Sequence, residues 1–361
     1  MRIAFVWQGL SQGKIYGHWG DGLRGAMDII EKTHEVKYFE PWEEIKDVDI
    51  ILYWEAPITR RGKDSENYKK IQANPIPKIL LFAGGPVHRE DCDGFDLFLV
   101  ESQVNEFDFA AIGKPWMRAF GVDTRTMKPE KQPKIFDAVF PATCAGWKRH
   151  GIFARALGSK GVVCGRFQES DPIGFMNARD AGVLVLPELP YEAVNVLYNA
   201  SWCCVNTSSE WGGGQRTTLE AMAAGIPVIV MSDSDKNCEY VRESGAGLIV
   251  DPDENKIKEA IEEIKKWTPQ ERGRGVEYVR GKWTHEHYAQ NILKGIENVL
   301  QYKLNNLNKN MEDVKIEETP VIAEEVVTAS ESVATIDSEV TATPVEETPV
   351  VEVENSEEVS A

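Results

Sequence analysis

Short apolar runs recur along the chain, separated by segments whose apolar positions repeat at helical spacing. In the first part the runs are Ile3–Trp7, Asp49–Trp54, Lys78–Phe82 and Asp96–Val100, with helical patterns near Asp21–Glu31, Asp64–Ile71 and Ser102–Ala111. In the second part they are Ile135–Phe140, Gly161–Gly165, Gly182–Leu186, Trp202–Asn206, Pro227–Met231 and Gly247–Val250. Helical patterns lie between these near Gly151–Leu157, Tyr191–Asn199, Gln215–Ala224 and Lys236–Ser244. Asn255–Lys266 is amphipathic, with Ile257, Ala260, Ile261 and Ile264 on one face. A last periodic segment, Glu286–Leu304, carries Tyr288, Ile292, Ile296, Leu300 and Leu304. This alternation predicts an α/β protein with parallel sheets joined by crossover helices.

The most specific chemistry lies in Asn206–Val230, NTSSEWGGGQRTTLEAMAAGIPVIV. It reads as a buried strand, the glycine turn Gly212-Gly213-Gly214, a short helix, and a second buried strand after Gly225. Glycines let backbone N–H groups approach a ligand, and the helix N-terminus behind them favours negative charge. A phosphate or diphosphate fits there, with Glu220 placed to accept hydrogen bonds from neighbouring hydroxyls. Each part has a plainer reading. Thr217 and Glu220 fit a capping box, Arg216 and Glu220 fit a surface pair four residues apart, and a glycine run is often only a mobile loop. Their order between two apolar strands favours the ligand site, since open α/β sheets bind ligands at such places.

Leu219-Glu220-Ala221-Met222-Ala223-Ala224-Gly225-Ile226-Pro227-Val228-Ile229 resembles the donor-site signature of the glycosyltransferase family 4 type, the glycosyl transferases group 1 of GT-B fold. Further marks are similar to that family's and follow in its order. They are Gly121-Val122-Asp123 with Pro129, Leu197-Tyr198-Asn199-Ala200, Glu239-Tyr240-Val241, Gly247-Leu248-Ile249-Val250-Asp251-Pro252 and Trp283-Thr284-His285-Glu286-His287-Tyr288. The resemblance covers the second domain well and the first in outline. It implies two Rossmann-like domains with parallel sheets facing across a cleft, and retaining, metal-independent transfer of a sugar from a nucleotide diphosphate sugar to a hydroxyl acceptor.

For the site, the resemblance implies that Glu220 holds the ribose, and that Gly213, Gly214, Thr217, Thr218 and Lys148 meet the diphosphate. No arginine stands at the family's earlier cationic position, and Arg149 is the candidate substitute. The family's first glutamate falls on Gly212; either Glu210 reaches the donor sugar through a bulge, or that role is lost. In the first domain the glycine-rich loop Gly9–Gly22, with Gly13, Lys14, Gly17, His18 and Trp19, is expected beside diphosphate and acceptor. His88 is a candidate contact to sugar or acceptor, and Ser102 either matches the family's strand-then-serine pattern or caps the helix behind it. A glycan, a lipid or a small molecule would serve as acceptor. No cofactor beyond the donor and no nucleic acid partner is expected. Three rival readings remain: an epimerase of the same fold, a non-catalytic nucleotide-sugar binder, and a nicotinamide-dependent oxidoreductase. The last ranks low, because no G-x-G-x-x-G follows the first strand.

Length and composition then set the boundaries. The 361 residues allow two ordinary domains, expected at 1–124 and 125–282, with a helix at 283–305 crossing back to the first. The formal charge of −18 is concentrated after Met311, where fifteen acids and one lysine stand. That stretch has neither Gly nor an aromatic residue, so 306–361 is expected to be a disordered acidic tail, solubilising or, less readily, binding a basic partner. The six cysteines lack metal-type spacing, and neither a metal site nor a disulfide framework is indicated. No stretch reaches the roughly 20 apolar residues of a membrane span. The N-terminus reads as a first strand rather than a signal peptide, so a cytoplasmic location is expected, with peripheral membrane contact left open.

Overall fold

The computed structural model describes residues 1–7, 22–54, 66–82, 87, 92–166, 173–209 and 213–317, the side chains of 67, 68 and 309–317 excepted. Met1–Asn310 forms one compact unit; of a second, Met311–Ala361, the described part is the end of a helix. The acidic tail beyond residue 317 lies outside the described residues.

The first sheet contains β1 (Arg2–Val6), β2 (Glu35–Phe39), β3 (Ile50–Trp54), β4 (Lys78–Phe82), β5 (Leu97–Val100) and β6 (Trp116–Arg118), all parallel, in the order β2-β1-β3-β4-β5-β6. Its helices are α1 (Gly22–Ile30), α2 (Glu66–Ala73) and α3 (Gln103–Ala111). The second sheet contains β7 (Phe136–Pro141), β8 (Gly161–Cys164), β9 (Leu184–Leu186), β10 (Ser201–Asn206), β11 (Val228–Met231) and β12 (Gly247–Val250), again all parallel, ordered β12-β11-β10-β7-β8-β9. Around it lie α4 (His150–Leu157), α5 (Ile173–Asp180), α6 (Tyr191–Asn199), α7 (Gln215–Ala223), α8 (Asp235–Ser244), α9 (Glu254–Lys266), α10 (Pro269–Arg272) and α11 (Arg274–Lys282). Last comes α12 (His285–Glu317).

The winding direction reverses once in each sheet, between β1 and β3 and between β7 and β10. Crossovers leave on opposite sides at such a reversal, and a crevice opens beyond the carboxyl ends of the two strands. In the second sheet the loops after β7 and β10 therefore meet: the first carries Lys148, the second the glycine turn.

The central strands are buried on both faces, which explains their unbroken apolar runs, as in Ile79-Leu80-Leu81-Phe82. Two elements of the first sheet escape the sequence pattern. Strand β2 is a half-exposed edge carrying Glu35 and Lys37, and β6 is a three-residue edge. The charged α11, with its two glycines, escapes it as well. Helix α12 buries Ile292 and Ile296 in the core and ties to the first sheet through Lys303 and Asp96 at 2.7 Å. It continues past the expected end at 305 to Glu317, so residues 306–317 are helical rather than part of a tail.

The two sheets are joined by named contacts. The Arg118 guanidinium, at the end of β6, meets Glu239 of α8 at 2.7 Å and Glu106 of α3 at 2.8 Å, and lies over the Trp283 ring. Tyr240 donates its hydroxyl to the Glu101 carbonyl at 2.6 Å. Ser102 does cap α3, its hydroxyl accepting from the Asn105 N–H.

Candidate active site

The turn before α7 depends on two glycines in the left-handed region, Gly213 at φ 56° and Gly214 at φ 105°. A Cβ on Gly214 would lie 2.6 Å from Asn206 Nδ2 and 3.0 Å from Ser208 Oγ, so no larger residue fits. Buried polar side chains hold the turn from beneath. Asn206 Nδ2 donates to the Gly214 carbonyl and to Thr218 Oγ1, each at 3.0 Å. Asn237 Nδ2 donates to the Gly213 carbonyl at 3.0 Å and to Ser234 Oγ at 2.8 Å, while its Oδ1 accepts from Thr218 Oγ1 at 3.0 Å. Thr217 Oγ1 donates to the Pro141 carbonyl at 2.9 Å, fastening the first turn of α7 to the end of β7. The hydroxyls of Thr217 and Thr218, residues expected to give backbone or hydroxyl contacts to the diphosphate, thus help to build the turn.

Glu220 is 4% exposed and points inward. Tyr191 donates to its Oε1 at 2.5 Å, and Tyr198 lies 3.3 Å from its Oε2. Neither plainer reading survives. Helix α7 begins at Gln215 with Gly214 as its cap, which excludes the capping box, and burial excludes a surface pair. Two phenols from α6 fix the carboxylate, whose remaining lone pairs can accept from ligand hydroxyls. Burial first, and the Glu220 charge second, push the Cys164 thiol up to about 12 and the Tyr198 phenol well above its ordinary value.

Lys148 ends a 3₁₀ turn, Gly146–Lys148, pinned by the Thr207 hydroxyl donating to the Lys148 carbonyl at 2.7 Å. Part of the residue is accessible, but its ammonium is enclosed. That burial, aided by the positive charge of Arg216 and opposed by Glu101, lowers its pKa to about 8. Arg216 stands on the first turn of α7 and its charge acts on Lys148, so the N-terminus of that helix with these two cations is a candidate anion site.

Arg149 does not share in it. Its Nε donates to the Thr207 carbonyl at 2.7 Å, Nη2 to the Ser208 carbonyl at 3.1 Å, and Nη1 and Nη2 to Asp233 at 2.6 and 2.8 Å. Its donors are committed to holding the loop, and the positive charge that acts on Lys148 is that of Arg216, on the first turn of α7. Sequence reasoning treated Arg216 only as a surface partner of Glu220. It gave no site role to Tyr191, Tyr198, Asn206 or Asn237, although Tyr198 lies in the family-like Leu197-Tyr198-Asn199-Ala200.

Glu210, His88, Gly13, Gly17 and His18, with Lys14 and Trp19, lie outside the described residues. Among the described residues no cluster of three or more His, Cys, Asp or Glu could hold a metal ion, and all six cysteines are buried free thiols.

The architecture is the GT-B fold. It is similar to sucrose-phosphate synthase from Thermosynechococcus elongatus, with TM-score 0.65 and 14% identity over 84% of this chain and 100% of that one. It is similar also to Anabaena HepE in complex with UDP and glucose, with TM-score 0.63 and 14% identity over 82% and 99% of the two chains. A glycosyltransferase from Rickettsia africae matches with TM-score 0.63 and 12% identity over 83% and 98%. No curated protein matches the sequence. Residues 162–311, which include the glycine turn and Glu220, match the family model of the glycosyl transferases group 1.

Proposed function

We propose that the protein is a retaining glycosyltransferase of the family 4 type, moving a sugar from a nucleotide diphosphate sugar to a hydroxyl of a glycan, lipid or small molecule. One observation carries this reading. A buried carboxylate, Glu220, is fixed by two tyrosines less than two helical turns beyond a glycine-capped helix N-terminus, where Lys148 and Arg216 converge. The UDP and glucose bound by HepE, a protein of the same fold, agree with it.

In this reading Glu220 accepts hydrogen bonds from the ribose hydroxyls, and the N-terminus of α7 faces the diphosphate. As the glycosidic bond breaks, negative charge builds on the departing diphosphate. Lys148 and Arg216, already in place, stabilise that charge without solvent reorganisation and supply what a metal ion would otherwise provide. No cofactor beyond the donor is needed. No helix among the described residues is long and apolar enough to cross a membrane, and we place the protein in the cytoplasm.

Thermal-shift screening against UDP, GDP, ADP and their sugars tests the reading, repeated with Glu220→Ala. One base should raise the Tm of the wild type, and the shift should vanish in the variant. Equal shifts in both proteins would remove Glu220 from the site, and product formation without an acceptor would replace transfer by isomerisation.

A further inference from the structure

Among the described residues, the buried side chains of Gln215 and Ser208 beside the glycine turn each carry a polar atom with no partner. Gln215 is 2% exposed, and its Nε2 meets no acceptor. Its Oε1 lies 3.3 Å from where a Cβ on Gly213 would stand, so the amide folds back over the turn. Ser208 is fully buried, and its Oγ is likewise unpaired, 3.0 Å from the corresponding point on Gly214. A buried donor without an acceptor costs stability, and folded proteins retain one where a ligand completes it.

The backbone tells the same story. In a trans peptide the C=O and N–H point in opposite directions. The carbonyls of Gly213 and Gly214 are turned inward onto Asn237 and Asn206, each at 3.0 Å. The N–H groups of Gly214 and Gln215 must therefore face away from those asparagines, and neither meets an acceptor among the described residues.

Resting on the donor-site reading above, we propose that the Gln215 side-chain amide joins these two N–H groups in hydrogen-bonding the diphosphate of the donor. Asn206 and Asn237 are positioning residues, which act by fixing the direction of the peptides. Gln215 supplies a neutral donor beside the cations Lys148 and Arg216.

Inorganic pyrophosphate is the probe, titrated calorimetrically into wild type, Gln215→Met, Gln215→Glu and Glu220→Ala, with Tm recorded for each ligand-free protein. Gln215→Met should weaken binding about tenfold and leave the ligand-free Tm unchanged or raised, because an unpaired buried amide is removed at nearly constant volume. Gln215→Glu, which puts a carboxylate against the anion, should weaken binding at least as much. Glu220→Ala should keep pyrophosphate affinity while losing the response to nucleoside diphosphates. Wild-type affinity in Gln215→Met, or a fall in Tm that accounts for the lost binding, would overturn the inference alone. A wild type that binds neither pyrophosphate nor any nucleoside diphosphate would overturn it together with the donor-site reading.

Discussion

Raising the pH should switch off donor binding through Lys148. Its ammonium titrates near 8 in the empty site, and a diphosphate is held by the protonated form. The charged groups facing it are Arg216, which keeps its proton, and Glu101, an acid whose charge favours the ammonium; His150, with a pKa pushed down to about 3 by burial and by Lys148, is neutral. A phosphate with a second pKa near 6 is fully ionised above about pH 7.5, so the ligand adds no titration of its own at higher pH. Affinity should therefore hold from pH 7 to 8 and fall about tenfold between pH 8 and 9.5, continuing until the raised pKa of the bound state is reached. Calorimetry with UDP at pH 7, 8, 9 and 9.5 measures this, and Lys148→Arg, whose guanidinium does not titrate there, should give a flat profile. A flat profile in the wild type, or the same decline in Lys148→Arg, would refute the reasoning. The linkage has a second consequence. Because the folded pKa lies below the unfolded one, the unfolded chain holds more protons between pH 8 and 10.5, and stability rises with pH across that window. At pH 7 the buried charge costs about 3 kcal/mol, which a bound diphosphate would return. Lys148→Met should thus raise the ligand-free Tm while abolishing binding.

Three further outcomes are open to direct measurement. Gly214→Ala forces a side chain into the left-handed region and against Asn206, so denaturant unfolding should show a loss of about 1–3 kcal/mol and calorimetry no diphosphate binding. His150, tilted against Phe140 and edge-on to Phe175 with both ring nitrogens unpaired, is neutral when folded; stability should fall as pH drops below about 6.5, by about 2 kcal/mol at pH 5. His150→Phe should remove that acid-dependent step, read as Tm at pH 7 and pH 5. Arg118→Ala leaves the buried Glu239 with only the Gln103 N–H at 2.7 Å, and should lower stability by about 2–3 kcal/mol and loosen the join between the sheets, seen as faster amide exchange in α3 and α8.

Patterns short enough to lie within one element were legible in the chain. Lys78–Phe82 and Tyr191–Asn199 coincide with the observed elements, because a strand covered on both faces must be apolar throughout and an amphipathic helix must repeat at its own period. The glycine turn and the LEAMAAGIPVI segment were legible for the same reason: their chemistry is local. Strands β2 and β6 were not, since a sheet edge imposes little burial, nor was the length of α12.

The sequence by itself determined an α/β protein with a glycine turn and an acid, Glu220, beside it. Only the tertiary structure decided how the neighbouring cations are placed, binding Arg149 to Asp233 and bringing the charge of Arg216 to act on Lys148. It also decided that Tyr191 and Tyr198 hold Glu220, and that Asn237 reaches back to Asn206 and Gly213. Hydrogen bonds and charge interactions depend on distances of a few ångströms, and those distances arise only when crossovers bring β7, β10 and β11 side by side.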